Sequence, residues 1–377
     1  MRGDLDRIVV IYGFLKKSDM DIKDFITRDE STMYYLCGYS ADNAILIRFG
    51  SELKFITDAR YSTEANELCK KNIALEIIEC SDLLREAKQQ IMSNNIKTLC
   101  FDPMRMCVEE YYGLKDMVEL IPSPNFTQLM RMQKKDEEIA ILRQAQQINL
   151  QAIHTFGQYV ARQGLGKSEQ FLWYKISDIL GNFGQYPLSF EPIVGIEGNA
   201  AKPHALPSAT TFLKNGDTLL LDCGLKYRRY CADCTRTALF YNDTLAFQKE
   251  QNFIILENAD NKDRLSANEK QKIYDIVKKA QIDTIEKIRA GMSGKEIDSI
   301  ARNVIEDCGY GKYFTHSTGH GIGLDIHEMP FISRRSETII ENGMVFSIEP
   351  GIYIPQIFGV RIEDLVVIQN GRAVILE

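Results

Sequence analysis

The sequence predicts an α+β protein in which a smaller α/β unit, residues 1–127, precedes a larger unit, residues 128–377, built as a curved antiparallel sheet covered by helices. Three observations predict it. Strand-like and helix-like runs alternate through the first third of the chain. Two apolar, β-rich segments, 219–237 and 344–368, each fold back on themselves around a polar connection. Long stretches with helical spacing stand before and between those segments.

In the first unit AILIRF (44–49), KFITDARY (54–61) and IKTLCFD (96–102) read as strands, and DLLREAKQQIM (82–92) and VEEYYGLKDMV (108–118) as helices. Over 129–153 the apolar residues Ile139, Leu142, Ala145, Ile148 and Ala152, continued by Phe156, recur at helical spacing, which predicts one amphipathic helix with a core face. His154 on that helix belongs to no motif and reads as a surface or packing residue. A helical region at 268–290 is followed by Ser293-Gly-Lys-Glu296, a capping-box pattern that opens a further helix ending near Gly309. Between the 219–237 segment and the 268–290 helix lies YNDTLAFQKEQNFIILENADNKDRLSANE (241–269). Its apolar run FIILE reads as an extra hairpin or edge strand on the surface, with a dimer contact or an active-site rim as functional uses.

Composition excludes several classes. A chain of 377 residues, 45% of them hydrophobic, is long enough to fill two cores. A net charge of −7 argues against nucleic acid or an anionic membrane as partner. No apolar stretch reaches the roughly 18 residues a spanning helix needs, and the opening MRGDLDRIVV lacks a signal-peptide layout. Nine cysteines, an odd number without a regular framework, predict free thiols in a reducing compartment and hence a cytoplasmic protein. Cys231 and Cys234 form a C-x-x-C, but strand alternation sends them to opposite faces, so both, like Cys223, read as packing residues.

The chemistry gathers in the second unit. Metal-binding residue types occur in the order Asp222, Asp233, His320, Glu349, Glu363. If the 219–237 hairpin turns on Tyr227 and Arg228, Asp222 and Asp233 stand directly opposite each other, with Cβ atoms about 4.5–5.5 Å apart. Glu349 and Glu363 repeat the device on two runs around the Pro355–Gly359 connection. Four carboxylates facing one buried cavity cannot all be charged and unpaired; bound divalent cations resolve the conflict. HSTGHGIGLDIHEMP (316–330) carries His316, His320 and His327, three of the five histidines, and FEPIVGIEGNAAKPHALPS (190–208) adds His204 on a loop. Imidazole is the usual neutral ligand and proton carrier near neutral pH.

These strings resemble those of the pita-bread metallopeptidases, in the branch that contains Xaa-Pro aminopeptidase (aminopeptidase P) and Xaa-Pro dipeptidase (prolidase). That branch carries two aspartates with ten residues between them on a hairpin followed by TRT, here at 235–237, then GHGIGLDIHE, IEPGIY and VRIED. The match covers roughly 128–377, and MYYLCGYS and TDARY resemble the branch's N-terminal domain. The resemblance implies a pita-bread fold for the second unit and a two-metal peptidase. In it Asp233 and Glu363 bridge the ions, Asp222 completes one shell, and His320 with Glu349 completes the other. It also implies that His204, His316 and His327 act on substrate and intermediate, and that Arg361 supports the carboxylates.

Oxygen ligands with a single imidazole favour Mn2+, with Co2+, Fe2+ or Zn2+ as alternatives. Glu349 is the candidate to take the attacking water's proton and pass it to the leaving amine. The expected substrates are peptides with proline second, and a homodimer is expected. The Pro355–Gly359 loop and residues 190–208 are expected to form the ring pocket. Aminopeptidase is the first reading, dipeptidase the alternative, and a non-catalytic binding member of the same fold the third. Retention of all five ligand positions argues against the last.

Overall fold

The computed structural model describes residues 24–69, 74–247, 250–256 and 265–377. The MRGDLDRIVV string and residues 248–249 and 257–264 of the 241–269 segment lie outside the described residues. The chain divides into two compact units, one through Arg131 and one from Met132 onward.

The first unit holds a six-stranded mixed sheet in the order β4-β3-β2-β1-β5-β6. Its strands are β1 (Phe25–Thr27), β2 (Ala44–Phe49), β3 (Glu52–Thr57), β4 (Leu75–Glu79), β5 (Thr98–Phe101) and β6 (Glu119–Pro122). The helices are α1 (Glu30–Cys37), α2 (Ser62–Leu68), α3 (Leu83–Ser93) and α4 (Val108–Leu114). Alternation along β2 sends Ile45, Ile47 and Phe49 into a core with Leu83, Ala87 and Ile91, and Ala44 and Leu46 into another with Met33 and Cys37. Its unbroken apolar run is therefore that of a strand buried on both faces. The run KFITDARY is strand only to Thr57, since Ser62 already opens α2.

The second unit contains α6 (Asp136–Gln163), α7 (Glu169–Gly181), α8 (Ala267–Lys287) and α9 (Gly294–Asp307), preceded by α5 (Phe126–Met132). The single helix expected over 129–153 is thus interrupted at 133–135. Gln133 bridges Met344, the Lys134 amide donates to Gly343 O at 2.8 Å, and the Lys134 ammonium reaches Glu328 Oε1 at 2.7 Å with both side chains buried. A continuous helix would use that amide internally, so the buried ion pair and the bridge replace one helical turn.

All strand pairs of this unit are antiparallel. A three-stranded sheet runs β11-β8-β7, with β7 Ile193–Ile196, β8 Thr218–Cys223 and β11 Cys234–Leu239. The short β9 (Lys226–Tyr227) and β10 (Tyr230–Cys231) extend its hairpin. A five-stranded sheet runs β13-β12-β14-β17-β18, comprising β12 (Gly319–Gly321), β13 (Glu328–Ile332), β14 (Val345–Ile348), β17 (Asp364–Gln369) and β18 (Arg372–Ile375). Between β14 and β17 the hairpin continues as β15 (Gly351–Ile354) and β16 (Phe358–Arg361). Helices α6 and α7 pack Phe156, Leu172 and Ile176 on Leu219, Leu221 and Ala238. Helices α8 and α9 pack Ile273, Val277 and Ile305 on Ile352, Phe358 and Val360. The capping box at Ser293 and Glu296 forms as expected and opens α9.

The 241–269 segment departs from the expected surface hairpin or edge strand. Residues Phe253–Leu256 form a 3-10 turn, and Phe253 is fully buried, its ring 5.6 Å from Tyr274 and 6.1 Å from Phe358 between centroids. Upstream, Leu245 is buried in the α6/α7 core and Phe247 stacks on Phe156. Two aromatic anchors thus tie the segment to both cores. Truncating Phe253 to Ala is expected to cost about 3–5 kcal/mol by loss of a buried aromatic ring. Urea unfolding of the variant checks this, and a loss under about 1 kcal/mol would return the segment to mere decoration.

Candidate metal centre

Each acidic hairpin has a gap in its regular ladder, at Asp233 in the first and at Glu349 and Glu363 in the second. In the first, Arg228 and Arg229 form the two-residue turn, with φ of 49° and 70°. Tyr227 pairs Tyr230, and the same register puts Asp222 opposite Thr235. The expected turn on Tyr227 and Arg228 is therefore displaced by one residue. Asp222 and Asp233 are not directly opposed; Asp233 falls in the gap between β10 and β11, one diagonal step away. In the second hairpin, the register that pairs Ile348 with Asp364 and Gly351 with Arg361 leaves Glu349 facing Glu363 across a gap containing Pro350, which has no amide to donate. His320 arrives on β12, held close to β14: a Cβ added at Gly319 would lie 1.8 Å from Ser347 O, so only glycine permits the approach.

Asp222, Asp233, His320, Glu349 and Glu363 all line one cavity of about 720 Å³. Donor atoms of Asp233, His320 and Glu363 lie within 4.8 Å of one another. The His320 Nδ1 sits 3.1 Å from Gly321 O and so carries the ring proton, which leaves the Nε2 lone pair facing Asp233 Oδ2 at 3.6 Å and Glu349 Oε1 at 3.4 Å. Three electron-rich atoms then point at each other. Asp222 Oδ1, Asp233 Oδ1 and Glu363 Oε1 are buried and receive no hydrogen bond. Burial and the charges of Glu363 and Asp222 hold Asp233 well above the usual carboxylate range; burial with Glu349 and Asp222 does the same to Glu363. Burial, with Asp222 adding to it against the pull of Arg361, brings Glu349 up to about 7. These residues fit divalent cations, the groups that would give the orphaned oxygens and the imidazole lone pair a common partner.

The TRT string, to which sequence reasoning gave no role, ties one hairpin to the other. Thr235 Oγ1 donates to Glu363 Oε2 at 2.8 Å and accepts from Arg361 Nε at 2.9 Å. The Glu363 amide donates to Thr235 O, Arg236 donates to Glu363 O and pairs with Asp364 at 2.7 Å, and Thr237 Oγ1 donates to Arg361 O. Arg361 places Nη2 on Asp222 Oδ2 at 2.6 Å and Nε 4.0 Å from Glu349 Oε2. Its Nη1 donates to Tyr353 OH at 2.8 Å and to Pro203 O at 3.2 Å.

His204, His316 and His327 line the same cavity. Because Tyr353 OH accepts from Arg361, its proton goes to His316 Nε2, 2.8 Å away, and His316 Nδ1 donates to Ser317 O. Both ring nitrogens of His316 are thereby engaged, and burial pushes the imidazole down to about 3, so it stays neutral. No described hydrogen bond engages the rings of His204 or His327; the latter stands edge-on to His320 at 4.3 Å, and burial with His320 pushes it down to about 4. Of the two segments expected to form the ring pocket, residues 190–193 and 203–207 line the cavity, whereas Pro355–Gly359 does not. That tip packs on Gly198 instead, where a Cβ would lie 2.4 Å from Gln356 O. His154 is exposed and bonds Gln158, outside the site. The C-x-x-C thiols stay apart, Cys231 contacting Leu324 O and Cys234 contacting Glu363 O.

Three buried acids that sequence reasoning missed hold the histidine segments. Asp298 pairs with Arg302 and accepts from the amide and hydroxyl of Thr318, while Arg302 donates to Phe314 O and His316 O. Glu328, paired with Lys134, fixes the strand after His327. Glu169 accepts from Ile196 N, Asn199 Nδ2 and Ser208 N, bracketing the His204 loop. The only sequence signal was the i,i+4 spacing of Asp298 and Arg302, which ordinarily marks a solvated helix face. Replacing Thr235 by Val, which keeps the shape and removes the hydroxyl, is expected to weaken divalent-metal affinity about 10–100-fold. Equilibrium dialysis against limiting metal checks it, and an unchanged affinity would deny that Thr235 positions Glu363.

Residues 140–370 match the model of metallopeptidase family M24, and residues 15–133 that of the Creatinase/Prolidase N-terminal domain. A Xaa-Pro dipeptidase of Pyrococcus horikoshii is 32% identical over 370 residues, covering 97% of this chain and 95% of that one. The solved Xaa-Pro dipeptidase from Bacillus anthracis superposes with a TM-score of 0.82 at 31% identity, over 94% of this chain and 92% of that one. The X-Pro aminopeptidase from Thermotoga maritima gives 0.77 at 28% identity, over 94% and 95%. With its antiparallel sheets under paired helices and its acidic hairpins around one cavity, the chain belongs to metallopeptidase family M24, and it has the pita-bread fold behind an N-terminal Creatinase/Prolidase domain.

Proposed function

We propose that the protein is a Xaa-Pro aminopeptidase that removes the first residue from peptides with proline second, using two divalent cations, with Mn2+ favoured by the oxygen-rich donor set and its single imidazole. One observation carries the choice of peptide length. Among the described residues, Arg361 is the only lysine or arginine lining the cavity, and its guanidinium is committed to Asp222, Thr235, Tyr353 and Pro203 O. A dipeptide would bring the proline carboxylate into a cavity already lined by carboxylates, with no free cation to meet it. A longer peptide presents a neutral amide there. The second reading, a Xaa-Pro dipeptidase, draws support from the relatives that bear that name.

In the proposed assignment Asp222, Asp233, His320, Glu349 and Glu363 would hold the two ions, with Asp233 and Glu363 serving both, Asp222 one, and His320 with Glu349 the other. Such a pair would supply Lewis acidity that lowers the pKa of water and polarises the scissile carbonyl. Glu349 takes the attacking water's proton on a carboxylate oxygen and delivers it to the proline nitrogen as the bond breaks. His204 and His327, whose rings are uncommitted, orient the substrate and donate to the developing oxyanion. His316 acts through Tyr353, whose hydroxyl it shares with Arg361, and so keeps the guanidinium on Asp222. Proline in the second position has no N–H and a fixed φ, so recognition rests on the shape of the 190–193 and 203–207 walls.

Asp233→Ala and Glu363→Ala are each expected to lose bound metal and turnover together, by on the order of 10³-fold or more, the worth of several kcal/mol of Lewis-acid stabilisation. Elemental analysis and single-turnover assays check this, and a fully active variant would remove the two-metal reading. For the wild type with Mn2+, kcat/KM for Xaa-Pro-Yaa is expected to exceed that for the matching Xaa-Pro by about tenfold or more, near 1.4 kcal/mol. Exclusive cleavage of dipeptides would replace aminopeptidase by dipeptidase, and faster cleavage of Xaa-Ala-Yaa than of Xaa-Pro-Yaa would overturn the proline assignment.

A further inference from the structure

The strand edge beside Asp222 is irregular in one place. Ile193 of β7 pairs with Asp222, and Leu188 forms a bridge with Leu225. Residues 189–192 on one side therefore face only residues 223–224 on the other, an excess of two that the ladder cannot absorb. Ser189 anchors the start of the excess, its amide on Gly224 O at 2.9 Å and its hydroxyl on Leu225 O at 2.8 Å. Phe190, Glu191 and Pro192 bulge out of the ladder and line the cavity. Bulges beside active sites re-aim side chains in this way.

Glu191 is the one acid lining the cavity outside the five-ligand set. It is exposed, and among the described residues no hydrogen bond or ion pair engages its carboxylate. The other cavity carboxylates are held by Arg361 or belong to the cation site. On the reading that the protein is an aminopeptidase, its substrate must present a free α-ammonium, a group charged at neutral pH. That ammonium lies two bonds from the scissile carbonyl carbon, so whatever holds it must stand within one side-chain length of the ligand carboxylates. Glu191 lines the same cavity as those carboxylates, on the bulge that begins beside Ile193, the ladder partner of Asp222.

We propose that Glu191 is a specificity residue of the aminopeptidase reaction, pairing with the substrate's α-ammonium and thereby restricting cleavage to the free amino end of a peptide. The contact is a charge-assisted hydrogen bond, made equally before and during bond cleavage, so it acts on substrate binding more than on turnover.

The test compares the wild type and Glu191→Gln, both loaded with Mn2+, on Xaa-Pro-Yaa and on its desamino analogue, the latter also measured as a competitive inhibitor. The expected result is a KM for the free-amine peptide raised about tenfold or more in the variant, with kcat changed less than about threefold. The inhibition constant of the desamino peptide and the bound metal should stay at wild-type values. Equal losses on both peptides would make Glu191 structural, and no loss on either would place the ammonium elsewhere. A loss confined to peptides beginning with Lys or Arg would reassign Glu191 to a side-chain pocket. All three overturn the proposal. A wild type that cleaves no Xaa-Pro-Yaa peptide would instead overturn the aminopeptidase reading, and this inference with it.

Discussion

Four carboxylates and an imidazole converge on one buried cavity, and three of their oxygens have no hydrogen-bond partner while the imidazole lone pair points at two more. Each such atom costs free energy when it leaves water without compensation, and neighbouring negative charges multiply the cost. Cations turn the same arrangement from a liability into an attraction. The surrounding structure is arranged to keep the donors in place until they are neutralised: the Thr235–Glu363 and Arg361–Asp222 bonds cross-link two hairpins that would otherwise separate under their own repulsion. Arg361 is the one positive charge lining the cavity among the described residues, and it offsets part of that repulsion from within.

The order of the candidate ligands was legible in the sequence because each sits in a short string whose composition is unusual for a strand. Their registry was legible only in part. In LKYRRY no glycine or asparagine marks the left-handed positions of the turn, and two arginines occupy them, so the turn centre read from pattern alone was displaced by one residue. The consequence is small for function, since a diagonal pair of aspartates still reaches the same cavity. At 133–138 the string QKKDEE reads as part of the helix expected over 129–153, and nothing local reveals that Lys134 is buried against Glu328, 194 positions away. Long-range ion pairs of this kind leave no periodic trace.

The FIIL run shows the same limit from the other side. Four apolar residues in a row satisfy a strand, a helix or a tight turn equally well, and the choice is made by where Phe253 finds its partners, Tyr274 on α8 and Phe358 on β16. The cavity wall at 190–192 was legible as a loop near a histidine, but the two-residue excess that brings Glu191 into the cavity lining depends on pairings at Leu188 and Ile193 that only the fold supplies. Chemistry-bearing residues were thus easier to find than the groups that aim them. Asp298, Glu169 and Tyr353 are ordinary residues in sequence and decisive ones in space, each acting on a histidine segment through backbone or hydroxyl contacts.

The claim on which the rest depends is that this cavity is a two-cation site whose donors are stabilised by being filled. Chelator-treated wild-type protein, titrated with Mn2+ and followed by elemental analysis together with thermal unfolding, tests it directly. The account predicts two ions per chain at saturation and a melting temperature that rises with them, a stabilisation of about 2.7 kcal/mol for each ion when free metal is 100 times its dissociation constant. A single ion or none at saturation, or two ions bound with no rise in melting temperature, would contradict it.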